Sequence, residues 1–297
     1  MTLMLRLPRI GLTTIGWHAL LMVGLLLLNV DTVADETVDA WLVHAPQAQA
    51  DADSSWSGFG LGSWSTLAFY NEPDDLKKGR SPDFNIKQKL VRFVYDNDSA
   101  NFPSAVLVDM STPEQNEFAV ASASPEQQGF TLIKTTSVRR VVPGRTLQAE
   151  EREYKRVIDD AEQRLVLWVA QKAEKHVPAF DVRLDFYGKI QHEFFRLPAG
   201  TVGWECENVG KDETPIRAEI VDFKDRVRAG KKKVSCVVFK RTYPKTSGRH
   251  SQLIETEWLS QEVPGGTVRV VGEYPEGTIT SIVVCTGFNV VDLEDAN

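Results

Sequence analysis

Between residues 180 and 292, apolar stretches of strand length are cut repeatedly by Pro, Gly, Asn and Asp. Such punctuation leaves room for extended segments joined by tight turns, the pattern of an all-β unit. Val263-Pro264-Gly265-Gly266 and Pro275-Glu276-Gly277 each stand between two apolar runs. Glycine reaches the positive φ that tight turns require without steric cost. The segments they separate, Leu253–Leu259, Thr267–Tyr274 and Thr278–Thr286, are therefore expected to form an antiparallel meander. Ala229-Gly230-Lys231 similarly predicts a hairpin ahead of a strand at Val234–Thr242.

The same texture appears upstream. Ile86 to Tyr95 alternates over two faces, and Ser65–Tyr70, Ser104–Met110, Glu117–Ala121, Phe130–Thr136 and Ser137–Val142 are further candidate strands. Residues 56–142 thus read as a first β module and 180–292 as a second. Gly62-Ser63-Trp64 opens one and Gly200-Thr201-Val202-Gly203-Trp204 the other, so the two are expected to be related. Between them the period changes. Leu147, Glu150 or Glu151, Tyr154, Val157 or Ile158, Ala161, Leu165 and Trp168 or Val169 recur at three- and four-residue steps, with Glu, Arg, Lys and Gln on the other face and no Pro or Gly between Leu147 and Val177. That spacing predicts one long helix over 145–177, stopped by Pro178, with its apolar stripe laid on a sheet. The expected fold class is mainly β (α+β): curved antiparallel sheets in two related modules, with one long helix packed on a sheet.

The first nine residues carry Arg6 and Arg9 and no acid, Ile10 to Val30 holds no formal charge, and Asp31 begins an acidic exit. A basic start, an apolar run and a negative exit direct the downstream chain across a membrane. Residues 1–34 are read as a signal peptide, with an anchor spanning 10–30 as the alternative. Residues 35–55, rich in Ala, Asp, Gln and Thr, read as a linker. His18 could ligate a pigment or haem, but no second ligand accompanies it, and it is read as a tolerated residue of the targeting segment.

The net charge is −7, of which the first 50 residues supply −2 (two Arg against Asp31, Asp35, Glu36 and Asp39), leaving −5. A general nucleic-acid binder would be basic, so nucleic acid is not expected as a partner. Cys206, Cys236 and Cys285 are too far apart for a C-x-x-C pair; they read as buried thiols or as one disulfide with a leftover thiol. Gly58, Gly60 and Gly62 do not join a strand to a helix, so they are not a dinucleotide fingerprint. His192-Glu193 lacks the second histidine of a zinc helix, and no G-x-S-x-G elbow occurs. No catalytic, cofactor-binding or metal residue is assigned, and no cofactor is expected. Arg226, Arg228, Lys231, Lys232, Lys233, Lys240, Arg241, Lys245 and Arg249 form the one basic concentration. They are read as solvating exposed hairpins and protecting edges, with anionic lipid or polysaccharide as the alternative partner.

Ala229-Gly230-Lys231-Lys232-Lys233-Val234-Ser235-Cys236-Val237-Val238, followed by Glu257-Trp258-Leu259-Ser260-Gln261-Glu262-Val263-Pro264-Gly265-Gly266, resembles an element of exported bacterial β-rich proteins. In architecture these resemble the periplasmic lipoprotein-carrier fold, a curved antiparallel sheet wrapped around one or more helices. The resemblance implies an apolar concavity and not carrier activity, since fold is not function. The expected role is an exported, non-enzymatic binding or envelope-associated protein. Its partner would be an apolar ligand held between sheet and helix, or an envelope component, and it would meet the membrane only through an uncleaved N-terminal segment. The alternative is a hydrolase acting on envelope glycans or esters. If the targeting segment is removed, mass spectrometry of the mature chain will find an N-terminus just after Ala34 or Ala50. A chain still beginning at Met1 would identify an anchor instead.

Overall fold

The computed structural model describes residues 55–56, 58–94, 104–111, 115, 117–120, 123–158, 160–171, 177–184, 186, 193–209, 214–245 and 252–292. The segment at 1–34 and all of the linker but Ser55 lie outside that set. In chain order the elements are β1 (Trp64–Tyr70), α1 (Pro73–Lys77), β2 (Phe84–Val94), β3 (Ser104–Asp109), β4 (Glu117–Val120), β5 (Thr131–Val142), β6 (Arg145–Ile158) and β7 (Ala161–Ala170). They continue as β8 (Phe180–Leu184), β9 (Glu193–Leu197), β10 (Thr201–Asn208), β11 (Ile216–Ala229), β12 (Lys232–Tyr243), β13 (Leu253–Leu259), β14 (Thr267–Glu273) and β15 (Ile279–Asn289). Thirteen strands make one antiparallel sheet in the order β4-β3-β2-β1-β15-β14-β13-β12-β11-β10-β7-β6-β5, and β8 pairs with β9 in a second. The expected meander is present as β13, β14 and β15, with Gly265, Gly266 and Gly277 all at positive φ.

The long helix expected over 145–177 does not form. Its place is taken by the hairpin β6–β7, paired from Ala149↔Ala170 to Ile158↔Ala161. Two physical facts account for this. Asp160 adopts φ 63°, the left-handed conformation that Asp tolerates in tight turns, so the chain reverses there. The charges, which suit a helix by composition, find partners across strands instead: Glu153 with Arg164 at 2.7 Å, Lys155 with Glu162 at 2.7 Å, Arg164 with Glu207 at 3.0 Å. Leu165 through Ala170 are then buried on both faces of β7, which a one-sided helical stripe would not allow.

On the sheet, where the helix was expected, lies the β8–β9 hairpin. Phe180 of β8 meets Phe239 of β12 at 4.8 Å between ring centroids, and Trp204 of β10 meets Phe239 at 5.1 Å. Phe130, just before β5, packs on Phe195 of β9 at 5.8 Å. β12 serves two cores through its alternation. Val237, Phe239 and Tyr243 join this aromatic core, whereas Val234 and Cys236, on the other parity, join a second core with Val263, Val268 and Cys285.

The strands of 56–142 do not stay together. β1–β4 attach to the sheet through β15, while β5 pairs with β6 at the opposite edge. The edge strands β4 and β5 are nonetheless consecutive in the chain. A flat sheet of thirteen strands would be about 58 Å wide, whereas the link from Val120 to Thr131 spans at most about 40 Å. The sheet must therefore curl. The link runs beside β9, where Ala123 bridges Phe195 and its carbonyl accepts the Arg196 N–H at 3.0 Å.

Because β7 is buried on both sides, Val166→Asp and Leu167→Asp should destabilise the protein as severely as Leu165→Asp, each on the order of 3–5 kcal/mol. Glu162→Ala, at a half-exposed ion pair, should cost about 0.5 kcal/mol or less. Urea midpoints would show the difference. A tolerated Leu167→Asp would restore the one-sided helix.

Candidate functional site

The basic concentration seen in the sequence divides when the chain folds. Five of its cations, Arg226, Arg228, Lys231, Lys232 and Lys233, stand exposed on the end of the long β11–β12 hairpin. Alternation sorts this arm: Val227 and Ala229 of β11 and Val234 and Cys236 of β12 turn inward to the second core, so Arg226, Arg228 and Lys233 turn outward. The tip folds back on β15, four strand spacings away, or about 19 Å on a flat sheet. There the Gly230 N–H donates to the Cys285 carbonyl at 3.0 Å. Gly230 has φ 57°, and a Cβ there would stand 2.8 Å from the Thr286 carbonyl oxygen, so only glycine permits this approach. Lys232 lies over the Phe288 ring at 5.2 Å.

Arg241, counted with these cations in the sequence, is turned the other way and is buried beside the aromatic core. It donates to Tyr243 Oη at 2.9 Å and to Glu257 at 3.2 Å, with Glu255 at 3.7 Å and the Trp204 ring at 5.5 Å. Burial alone would disfavour its charge, but Tyr243, Glu257 and Glu255 outweigh it and hold the guanidinium well above its ordinary pKa. Its Nε has no hydrogen-bond partner. The parity of Val237, Phe239, Arg241 and Tyr243 was visible in the sequence and is the signal that places Arg241 inside. Lys240 and Lys245 are exposed, and Arg249 lies outside the described residues.

A second arginine cluster, unforeseen from sequence, closes the other end of the sheet. Arg140 of β5 stacks on Trp168 at 3.8 Å and reaches Glu219 of β11 at 2.8 Å, again across four strand spacings. Arg217 shares Glu219 at 2.7 Å, and Trp168 Nε1 donates to Glu151 at 2.9 Å. Gly203 makes room for the indole: a Cβ there would stand 3.1 Å from its ring and 2.6 Å from the Ala218 carbonyl oxygen. Burial lifts the nearby Glu205 carboxyl above its ordinary range, against the pull of Arg217 and Arg164. Glu207, two residues on, is held by Arg164.

All three cysteines are buried, and no disulfide joins them. Cys206 belongs to the aromatic core, and Cys236 and Cys285 to the second core. Burial, with Asp225 and Glu262 nearby, pushes the Cys236 thiol up to about 12, and burial also raises Cys285. Neither offers a thiolate nucleophile near neutral pH. Gly60 belongs to the entry turn before β1, where its N–H donates to the Val291 carbonyl at 2.7 Å. His18, His44, His176, His192 and His250 all lie outside the described residues.

No family model matches the chain, and no curated protein matches it. Among solved structures it is similar to a candidate exported protein with a YmcC-like fold from Bacteroides fragilis. The identity is 9% and the TM-score 0.32, over 78% of this chain and 99% of that one. It is also similar to a candidate lipoprotein from Parabacteroides distasonis, at 9% identity and TM-score 0.34, over 80% of this chain and 100% of that one.

Removing the Arg241 guanidinium leaves Glu255 and Glu257 without their shared cation. Arg241→Ala should lower stability by about 3–5 kcal/mol, and Arg241→Lys should recover only part of it, because the planar fork is lost. Denaturant titration of the three proteins checks this. Equal midpoints for wild type and Arg241→Ala would show that the cluster contributes nothing.

Proposed function

We propose that the chain is an exported, envelope-associated protein that binds through its surface and carries out no catalysis. The observation that carries this reading is the order of charge at the N-terminus: Arg6 and Arg9, an uncharged run from Ile10 to Val30, then acids from Asp31. The β body behind this segment is long enough to build a core independent of disulfides or metal.

Binding at the surface, rather than inside, is supported by how the interior is filled. On the face where a ligand between sheet and helix was expected, Phe180, Phe195 and Trp204 occupy the space together with Phe239. An apolar ligand there would have to displace the chain's own aromatic side chains. Several carboxylates among the described residues are drawn into structural pairs, which speaks against their serving a hydrolase of glycans or esters. Glu153 and Glu207 hold Arg164, Glu219 holds Arg140 and Arg217, and Glu255 and Glu257 flank Arg241.

A fusion of residues 1–60 to a reporter that is active only outside the cytoplasm should give signal. Replacing Leu25 and Leu27 with Arg, which puts charge into the apolar run, should abolish it. A fusion that stays in the cytoplasm would overturn the reading.

A further inference from the structure

Charge on this protein is segregated. From Arg226 to Lys233 there are five cations and no acid, so this stretch carries +5, and the rest of the chain, by difference from −7, carries −12. All five are exposed, and among the described residues none forms an ion pair with a carboxylate. The nearest acids are otherwise engaged. Asp225 accepts the Trp258 indole N–H at 2.8 Å, Asp222 accepts the Lys224 backbone N–H at 2.8 Å, and Glu262 accepts the Ser235 backbone N–H at 2.9 Å. The arm is also held in place. Val227, Ala229, Val234 and Cys236 pack into the second core, and Gly230 is bonded to β15, so the cations project from a fixed ribbon.

We propose that the outward side of the β11–β12 ribbon is a docking surface for an anionic phospholipid bilayer. Edge protection alone does not account for it: β11 pairs with β10 only over Ile216–Glu219 and β12 with β13 only over Val237–Tyr243, so both edges of the arm are open, but Arg226, Arg228 and Lys233 stand on its outward face, opposite the second core. The outward groups are flexible cations on long stems, which suit a plane of mobile phosphates; a glycan would call for stacking platforms and directional hydrogen bonds. The −12 on the remainder repels the same surface, so attraction is confined to the arm and sets the orientation of the body. A chain delivered to a membrane by its N-terminal segment would meet such a surface on emergence. The proposal rests in that respect on the exported, envelope-associated reading. The two fail separately, since the reporter measures export and vesicles measure the ribbon.

The test is co-sedimentation of the full chain with vesicles of phosphatidylglycerol and phosphatidylcholine, against vesicles of phosphatidylcholine alone. Any insertion of the N-terminal segment is common to all proteins compared, so the readout is the preference for the anionic vesicles. Wild type should show that preference at low salt and lose it at high salt. The triple variant Arg228→Gln, Lys231→Gln, Lys233→Gln should bind anionic vesicles about a hundredfold more weakly, at about fivefold per charge. The control Lys77→Gln, Lys78→Gln, Arg80→Gln, which removes as much charge from exposed positions on and just after α1, should keep the preference. Both triples should show the wild-type denaturation midpoint. If the ribbon triple does not, the single exchanges Lys231→Gln and Lys233→Gln replace it, with about a fivefold loss expected of each. Equal binding of wild type to both vesicles would overturn the proposal. So would a preference that survives the ribbon triple, an equal loss in the control, or retention on an anionic polysaccharide without any on vesicles.

Discussion

One covalent constraint governs the architecture: the two edge strands of the thirteen-stranded sheet, β4 and β5, are neighbours in the chain. A short link cannot cross a flat sheet of that width, so the sheet has to curl. Right-handed strand twist supplies the tendency, and register shifts within β11–β12 and β2–β3 supply local bending. Curling in turn brings side chains from distant strands together. Arg140 reaches Glu219, and the Gly230 tip reaches Cys285, each across four strand spacings.

β11 takes part in both closures. One end of this strand receives Arg140 from β5, and its other end carries the tip that docks on β15. The same strand and its partner β12 pass from the aromatic core at one end to the second core at the other, so both cores depend on the β11–β12 pair. The two arginine populations of the hairpin are consequences of this geometry. Where the strands are covered on both faces, Arg241 is enclosed and needs Tyr243, Glu255 and Glu257. Where one face looks outward, Arg226 and Arg228 stay in solvent.

Much of the β body was legible because turns are written in local chemistry. Gly230, Gly265, Gly266 and Gly277 all take positive φ, and each stands where the sequence placed a turn. The β6–β7 hairpin was not legible for the same kind of reason. Its reversal rests on Asp160, a weaker turn signal than glycine, and its Glu, Arg, Lys and Gln residues are good helix formers. Their alternation only acquires meaning once Arg164 is seen between Glu153 and Glu207 on neighbouring strands. The element laid on the sheet is β8–β9, and it supplies the Phe180 and Phe195 rings to the core that the helix was expected to complete.

By itself, the sequence determined what depends on near neighbours: the β class, the turns, the terminal meander and the +5 stretch from Arg226 to Lys233. Steric limits on φ and the alternation of side chains act over a few residues, so they can be read without a fold. Only the tertiary structure decided that one sheet joins both halves, that Arg241 is buried while Arg226 and Arg228 are exposed, and that Cys236 and Cys285 share a core without bonding. Those outcomes depend on which strands pair across long stretches of chain. Such pairing is selected by the burial and ion pairing of the whole assembly, which no local window contains.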